Sequence, residues 1–259
     1  MGDHDTWYTL WPGWHDLEHK FEEGLRRDWR ALVFQDTEFT LVHVVGALLA
    51  AALILVATMR WRASLRDETG GIVPPRRFTL AAMMDGFVGA VYKLAVDAMG
   101  EKDARRMLPL VGTLGLFIFC CNLQGLIPGL LPPTDTLKTN LALSILVFIV
   151  YNVLGIARNG MGYLAHFLGP KIGGHRWLAP LFLVVELASH IARPVSLAMR
   201  LMGNILADHK VVLAIAGLVA LLAPVPFLLL GVMVVIVQSL IFTLLTIIYI
   251  GMAIEHAEH

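Results

Sequence analysis

Glu186, Arg193 and Arg200 are spaced by sevens in an apolar setting, and they are the side chains of this sequence best placed to do chemistry. At 100° per residue each step of seven drifts only about 20° around a helix, so the three share one stripe. Asn204, four residues beyond Arg200, continues it. Arg200 is the decisive member. A guanidinium keeps its proton at ordinary pH, so it cannot enter hydrocarbon as a neutral group. Holding it at the bilayer centre costs about 2.5–3.5 kcal/mol on insertion scales. A charge kept at that cost suits ion transfer or a tightly held anionic partner. Glu186, Ser189 and His190 lie on the N-terminal side of Arg200, and Asn204, Asp208, His209 and Lys210 on its C-terminal side. Gln238 and Ser239 fall near the centre of the last apolar segment. Protonatable groups thus approach a permanent cation from both directions. That is the pattern of two aqueous half-paths separated by an electrostatic barrier, because a guanidinium does not release a proton and cannot relay one.

Each residue also has a plainer reading. Arg193 can snorkel to an interface or pair with Glu186. Asp208, His209 and Lys210 can form a solvated break, His190 a packing or water-facing histidine, and Gln238 an interhelical hydrogen bond. For Arg200 the plain reading is a salt bridge within the chain. Residues 226–250 contain no carboxylate to supply one, so its anion is expected from another chain.

These residues need helices to hold them at depth. The sequence has 259 residues, 57% apolar and 15% charged. Five stretches exceed the roughly 18 residues that mark a spanning candidate, at about 39–59, 107–131, 138–157, 178–221 and 226–254. The expected fold is an all-α integral membrane protein, with residues 1–37 as an outer-side arm and 38–259 as a single membrane domain. Residues 1–37 have no apolar core of the kind a cleaved signal requires. Trp7, Trp11, Trp14 and Trp29 suit that arm to the interface. Formal net charge is zero, which gives no sign of a nucleic-acid partner. Cys120 and Cys121 are adjacent in an apolar segment and read as packing residues, and no metal site is expected.

Lys and Arg number 12 in 60–106 and 158–177 together, against 5 in 1–37 and 131–138. The first two regions are therefore expected to face the cytoplasm, with the N-terminus outside and the C-terminus inside. In 78–99, Leu80, Met84, Phe87, Val88, Val91 and Ala95 share a helical face opposite Lys93 and Asp97. This predicts an amphipathic helix, lying on the membrane surface or packed under a partner protein. The last two segments are too long for a hydrocarbon core of about 30 Å, so they predict a steeply tilted hairpin or a broken helix.

The string Pro194-Val195-Ser196-Leu197-Ala198-Met199-Arg200-Leu201-Met202-Gly203-Asn204 resembles the signature of the subunit a family of F-type ATP synthases. Gln238 to Ile250 is similar to that family's last helix, and Asn122-Leu123-Gln124-Gly125-Leu126-Ile127-Pro128 resembles the outer end of an earlier span. The resemblance covers roughly 78–254. It implies a non-catalytic stator beside a rotating ring of c subunits, attached to peripheral-stalk b subunits in a bacterial inner membrane, with no cofactor. By position, Arg200 matches the essential arginine facing the ring carboxylates and Gln238 the glutamine close to it. Asn204 matches a polar residue of the outer channel, and Glu186 and Ser189 match positions toward the inner outlet. His209 falls where the family has a titratable outer-channel residue. That residue's partner on the last helix falls at Gly231, which leaves Asp208 or a water to substitute. Thr134-Asp135-Thr136-Leu137-Lys138-Thr139-Asn140 departs from the family's usual Asp-x-Asn-x-Thr.

Two other classes compete with this reading. One is a secondary transporter or anion-binding channel with Arg200 as the substrate site, although the inverted repeats of many such folds are not visible. The other is an electron-transfer subunit using His43, His166, His190 or His209 as haem ligands.

Overall fold

A computed structural model of the chain describes residues 6, 9–20, 41–64, 79–127, 129–160, 163, 179–218 and 224–255. Among the described residues there is no strand. The principal helices are α1 (Leu41–Ser64), α2 (Leu80–Gln124), α3 (Leu137–Asn159), α4 (Ala179–Leu218) and α5 (Pro224–Glu255), with a single 3-10 turn, Pro133–Asp135, before α3. All five are long and apolar enough to cross a membrane, which makes this a multi-pass membrane protein.

The expected surface helix and second span form one element. α2 runs from Leu80 to Gln124 and bends at Gly100, whose φ of 77° and ψ of 163° lie outside the helical region. Glycine alone takes that conformation without a Cβ penalty, so it separates an amphipathic half from an apolar half. The part of its apolar face nearest the bend is covered by this same chain, while Leu80 at its start is exposed. Met84, Val91 and Ala95 are buried, the last two in the core that holds Ile247, Ile250 and Ala253 of α5, while Lys93 and Asp97 are exposed. Contact here is backbone to backbone: a Cβ on Gly251 would sit 2.9 Å from the Ala98 carbonyl oxygen. Arg158 of α3 bonds Asp103 just beyond the bend.

α2 ends at Gln124, short of the expected limit at 131, where turns lead to Pro133. α4 contains no break among its described residues. It continues through Pro194 for 40 residues, about 60 Å at 1.5 Å per residue. One internal proline removes a single backbone bond, which neighbouring groups in a membrane protein can make good.

The core is shared by α2, α3, α4 and α5: Val111 and Ile118, Tyr151, Leu197 and Leu201, Phe242 and Ile250 are buried together. α1 is peripheral, with Leu48, Leu53, Leu55 and Val56 exposed. It is attached at its start by Gly46, whose carbonyl accepts from Gln124 Nε2 at 3.1 Å, and at its end by Trp61, whose Nε1 donates to Asp85 Oδ1 at 2.7 Å. Of the N-terminal tryptophans, Trp11 is exposed and Trp14 is buried. Trp7, Trp29, most of 158–177 and the loop 65–78 lie outside the described residues.

Candidate functional site

The period of α4 sorts its polar residues onto different faces. Leu197, Ala198, Leu201 and Ile205 are buried in the helix packing. Ser189, Arg200 and Asn204 are exposed, and Glu186 and Arg193 are half-buried. No described residue of this chain forms an ion pair or hydrogen bond with the Arg200 guanidinium. The segment Pro180–Ile205 that contains it is apolar enough to span a membrane. Asp208 and His209 fall on the same helix, and their side chains lie outside the described part.

Arg193 has different surroundings. Its Cζ lies 5.5 Å from the centroid of the Tyr249 ring on α5, a cation–π contact. Next to it, His190 is buried and turned inward. Its Nε2 hydrogen-bonds Asn152 Oδ1 at 2.8 Å and reaches Tyr151 Oη at 3.5 Å. Asn152 Oδ1 also accepts from Tyr163 Oη at 3.1 Å, and Asn152 Nδ2 donates to the Phe148 carbonyl at 2.7 Å. Burial pushes the Tyr163 phenol above its ordinary value, so it remains a neutral donor. His190 therefore bonds to neutral groups, Asn152 and Tyr151 of α3, and is buried where Arg200 is exposed.

Gln238 and Ser239 are buried on α5. Ser239 Oγ bonds back to carbonyls of its own helix, at Val235 and Ile236. Gln238 lines a cavity of about 20 Å³ with Asn122, Gly125 and Ile205, room on the order of one water molecule.

A second polar seam gathers at the end of the bundle that carries Pro133. Thr134 Oγ1 donates to Asn122 Oδ1 at 2.7 Å, and Asn140 Nδ2 to the Thr134 carbonyl at 2.7 Å. His43 Nε2 hydrogen-bonds Asp135 Oδ1 at 2.9 Å, which gives Asp135 a partner on α1. Among the described residues, Asn122 Nδ2, Gln124 Oε1, Asn140 Oδ1 and Ser144 Oγ are buried without a protein partner. Groups of this kind ordinarily bond water.

Ser144, Tyr151, Asn152 and Tyr163 are absent from the sequence-based expectations, and Asn140 enters only within the string Thr134 to Asn140. A signal was present. Asn140, Ser144, Val147, Tyr151 and Gly155 recur at spacings of four and three along α3 and form its buried face. Amides and hydroxyls at that period inside an apolar helix mark an inward polar seam.

Comparison with known proteins gives a family match. The sequence model of the ATP synthase A chain family matches residues 43–251. The chain is 40% identical over 213 residues to the ATP synthase subunit a of Sorangium cellulosum, covering 82% of each chain. It is 45% identical over 216 residues to ATP synthase subunit a 2 of Syntrophotalea carbinolica, covering 83% of this chain and 87% of that one. Against ATP synthase subunit a 1 of Pelobacter propionicus it is 44% identical over 179 residues, 69% of this chain and 76% of the relative.

Proposed function

The chain belongs to the ATP synthase A chain family, and we propose that it is the proton-translocating stator subunit of an F-type ATP synthase, with Arg200 as its ion-transfer residue. The observation that carries this reading is the Arg200 side chain: exposed, in a segment apolar enough to span the membrane, and without a partner among the described residues of its own chain. A permanent cation left in that state needs an anion from a neighbour. The carboxylate of a c-subunit ring would supply it.

In this mechanism protons enter by a half-channel on the outer side, past His209, Asp208 and Asn204, and neutralise a ring carboxylate. The neutral acid rotates through lipid at low cost. When it meets Arg200, the opposite charge favours its ionised form and the proton leaves. Exit follows Ser189 and Glu186 toward the cytoplasm. In this reading Gln238 of α5 assists at the Arg200 contact, and His190, bonded to Asn152, sets the rotation of α4 beneath Glu186 and Ser189. The seam of Asn122, Gln124, Asn140 and Ser144 supports an aqueous inlet at the Pro133 end. A membrane potential adds about 2.3 kcal/mol per charge per 100 mV to each transfer. The N-terminus lies outside and the C-terminus in the cytoplasm, with peripheral-stalk b subunits holding the stator.

Cross-linking tests the reading directly. Met199 is exposed beside Arg200. Met199→Cys, with Cys120 and Cys121 replaced by alanine, should form a disulfide with a cysteine at mid-membrane of a c subunit in the assembled complex. Cross-links only to residues near the membrane surface, or none, would overturn the assignment.

A further inference from the structure

An apolar cavity of about 520 Å³ lies between α1, both halves of α2 and α5, and no described residue of α4 lines it. Leu53 and Val56 of α1, Met83 and Phe87 of α2, and Ile236 and Leu240 of α5 are among the residues that line it. Most of these are exposed in the isolated chain: Leu53 is 51%, Met83 54% and Leu240 51% accessible. The few hydroxyls on its wall are already used. Ser239 and Thr243 both donate to carbonyls of α5, so the wall offers an occupant almost nothing but hydrocarbon.

One end differs. Arg60, in the last turns of α1, is the only charged residue among the described residues of the lining. It forms no ion pair with any described residue. Asp85, nearby on α2, accepts from Trp61 Nε1 at 2.7 Å, and this bond joins the end of α1 to the amphipathic half of α2. Among the described residues, the cavity is thus a hydrocarbon slot with a single cation at the end of a spanning helix, where the interface begins.

We propose that this slot binds one anionic phospholipid, with its phosphate on Arg60 and an acyl chain along Leu53, Met83 and Leu240. Charge complementarity selects the headgroup, because the described residues of the lining carry one cation and no carboxylate. Size selects the tail. A spanning helix is 10–12 Å across and must cross about 30 Å, which requires several times the volume available. An acyl chain needs no backbone hydrogen bonds and can follow an irregular slot. The lipid fills the space between α1 and the core and so holds α1 against α2 and α5. This inference is independent of the role given to Arg200.

The test uses the assembled complex with a photoreactive benzoylphenylalanine at Leu53, in nanodiscs of nine parts phosphatidylcholine to one part phosphatidylglycerol. Mass spectrometry then identifies the adducts. The expected result is enrichment of phosphatidylglycerol over its bulk share. Arg60→Gln should lower that enrichment about fivefold, the factor matching roughly 1 kcal/mol per basic residue near an anionic surface, and Arg60→Lys should largely retain it. Ala57→Trp, which fills the slot, should reduce adducts of both lipids. Adducts in bulk proportion that Arg60→Gln leaves unchanged would overturn the proposal. So would an adduct to a transmembrane helix of another subunit, which would assign the slot to a protein partner.

Discussion

Arg193 and Arg200 are seven residues apart on one unbroken helix, yet the chain treats them in opposite ways. Arg193 is half-buried over the Tyr249 ring, beside the His190, Asn152, Tyr151 and Tyr163 lattice. Arg200 is exposed and meets no partner among the described residues. Two charges with the same chemistry and nearly the same helical phase therefore have different surroundings. One is satisfied internally and helps fix the packing of α4 on α3 and α5. The other is exposed and, in the function proposed above, meets a surface outside the chain. Burial of a charge normally demands a partner, so an arginine without one at membrane depth points to an interface, while a stacked one points to the fold.

The sharpest way to break this contrast is at Arg200. Arg200→Ala should lower ATP synthesis in energised membrane vesicles at least about a hundredfold, the range seen when one preorganised electrostatic group is removed from a transfer site, with subunit levels unchanged. Arg200→Lys should fail similarly, because an ammonium is compact, strongly hydrated and able to deprotonate when buried. Wild-type synthesis in either variant would remove the distinction between the two arginines.

The next largest effect should fall on the packed side. Gly251→Leu drives a side chain into the Ala98 backbone and should cost about 1–3 kcal/mol by overpacking. This would be read as lower complex yield and earlier thermal dissociation. Asn152→Leu removes the acceptor shared by His190 and Tyr163. It should cost about 1–3 kcal/mol by leaving buried polar groups without partners. The midpoint of thermal inactivation should drop, and the rate per intact complex should fall less than it does in Arg200→Ala. The smallest effect should come from Arg193→Gln, which gives up about 0.5–2 kcal/mol of cation–π contact and keeps most synthesis. If Arg193→Gln silenced synthesis as completely as Arg200→Ala, with normal assembly, the two residues would share one role.

Much of the fold is legible in the sequence because membrane insertion is a local property. The stretches read at 138–157 and 226–254 became Leu137–Asn159 and Pro224–Glu255. An uninterrupted apolar run of that length has few other ways to satisfy its backbone in lipid. The face of Met84, Val91 and Ala95 was equally legible from its period. What covers that face was not, since Ile250 and Ala253 lie more than 150 residues downstream. The bend at Gly100 had a weak signal, a glycine followed by the charged run Glu101-Lys102-Asp103. The continuity of α4 through Pro194 had none, because a proline reads the same whether neighbouring helices support it or not.

Among the candidate residues, the same divide separates what was legible from what was not. Sequence spacing set Glu186, Arg193 and Arg200 on one stripe but did not distinguish a stacked arginine from an open one. His190 was grouped with Ser189 by adjacency, although consecutive residues point about 100° apart on a helix, and the structure turns His190 inward and Ser189 outward. The pairing of His43 with Asp135 joins residues 92 apart in the chain, a distance over which no local pattern carries information.

The sequence by itself determined that the chain spans the membrane, that its helices are about these lengths, and that one of them carries a fixed positive charge in an apolar stretch. Each of these is a sum of transfer free energies and periodicities within a single segment. Only the tertiary structure decided which polar groups satisfy one another, which face of α4 stays open, and that a slot ending at Arg60 separates α1 from the core. Those outcomes depend on how distant helices come together, since a hydrogen bond or a stacked ring needs two partners placed within a few ångströms.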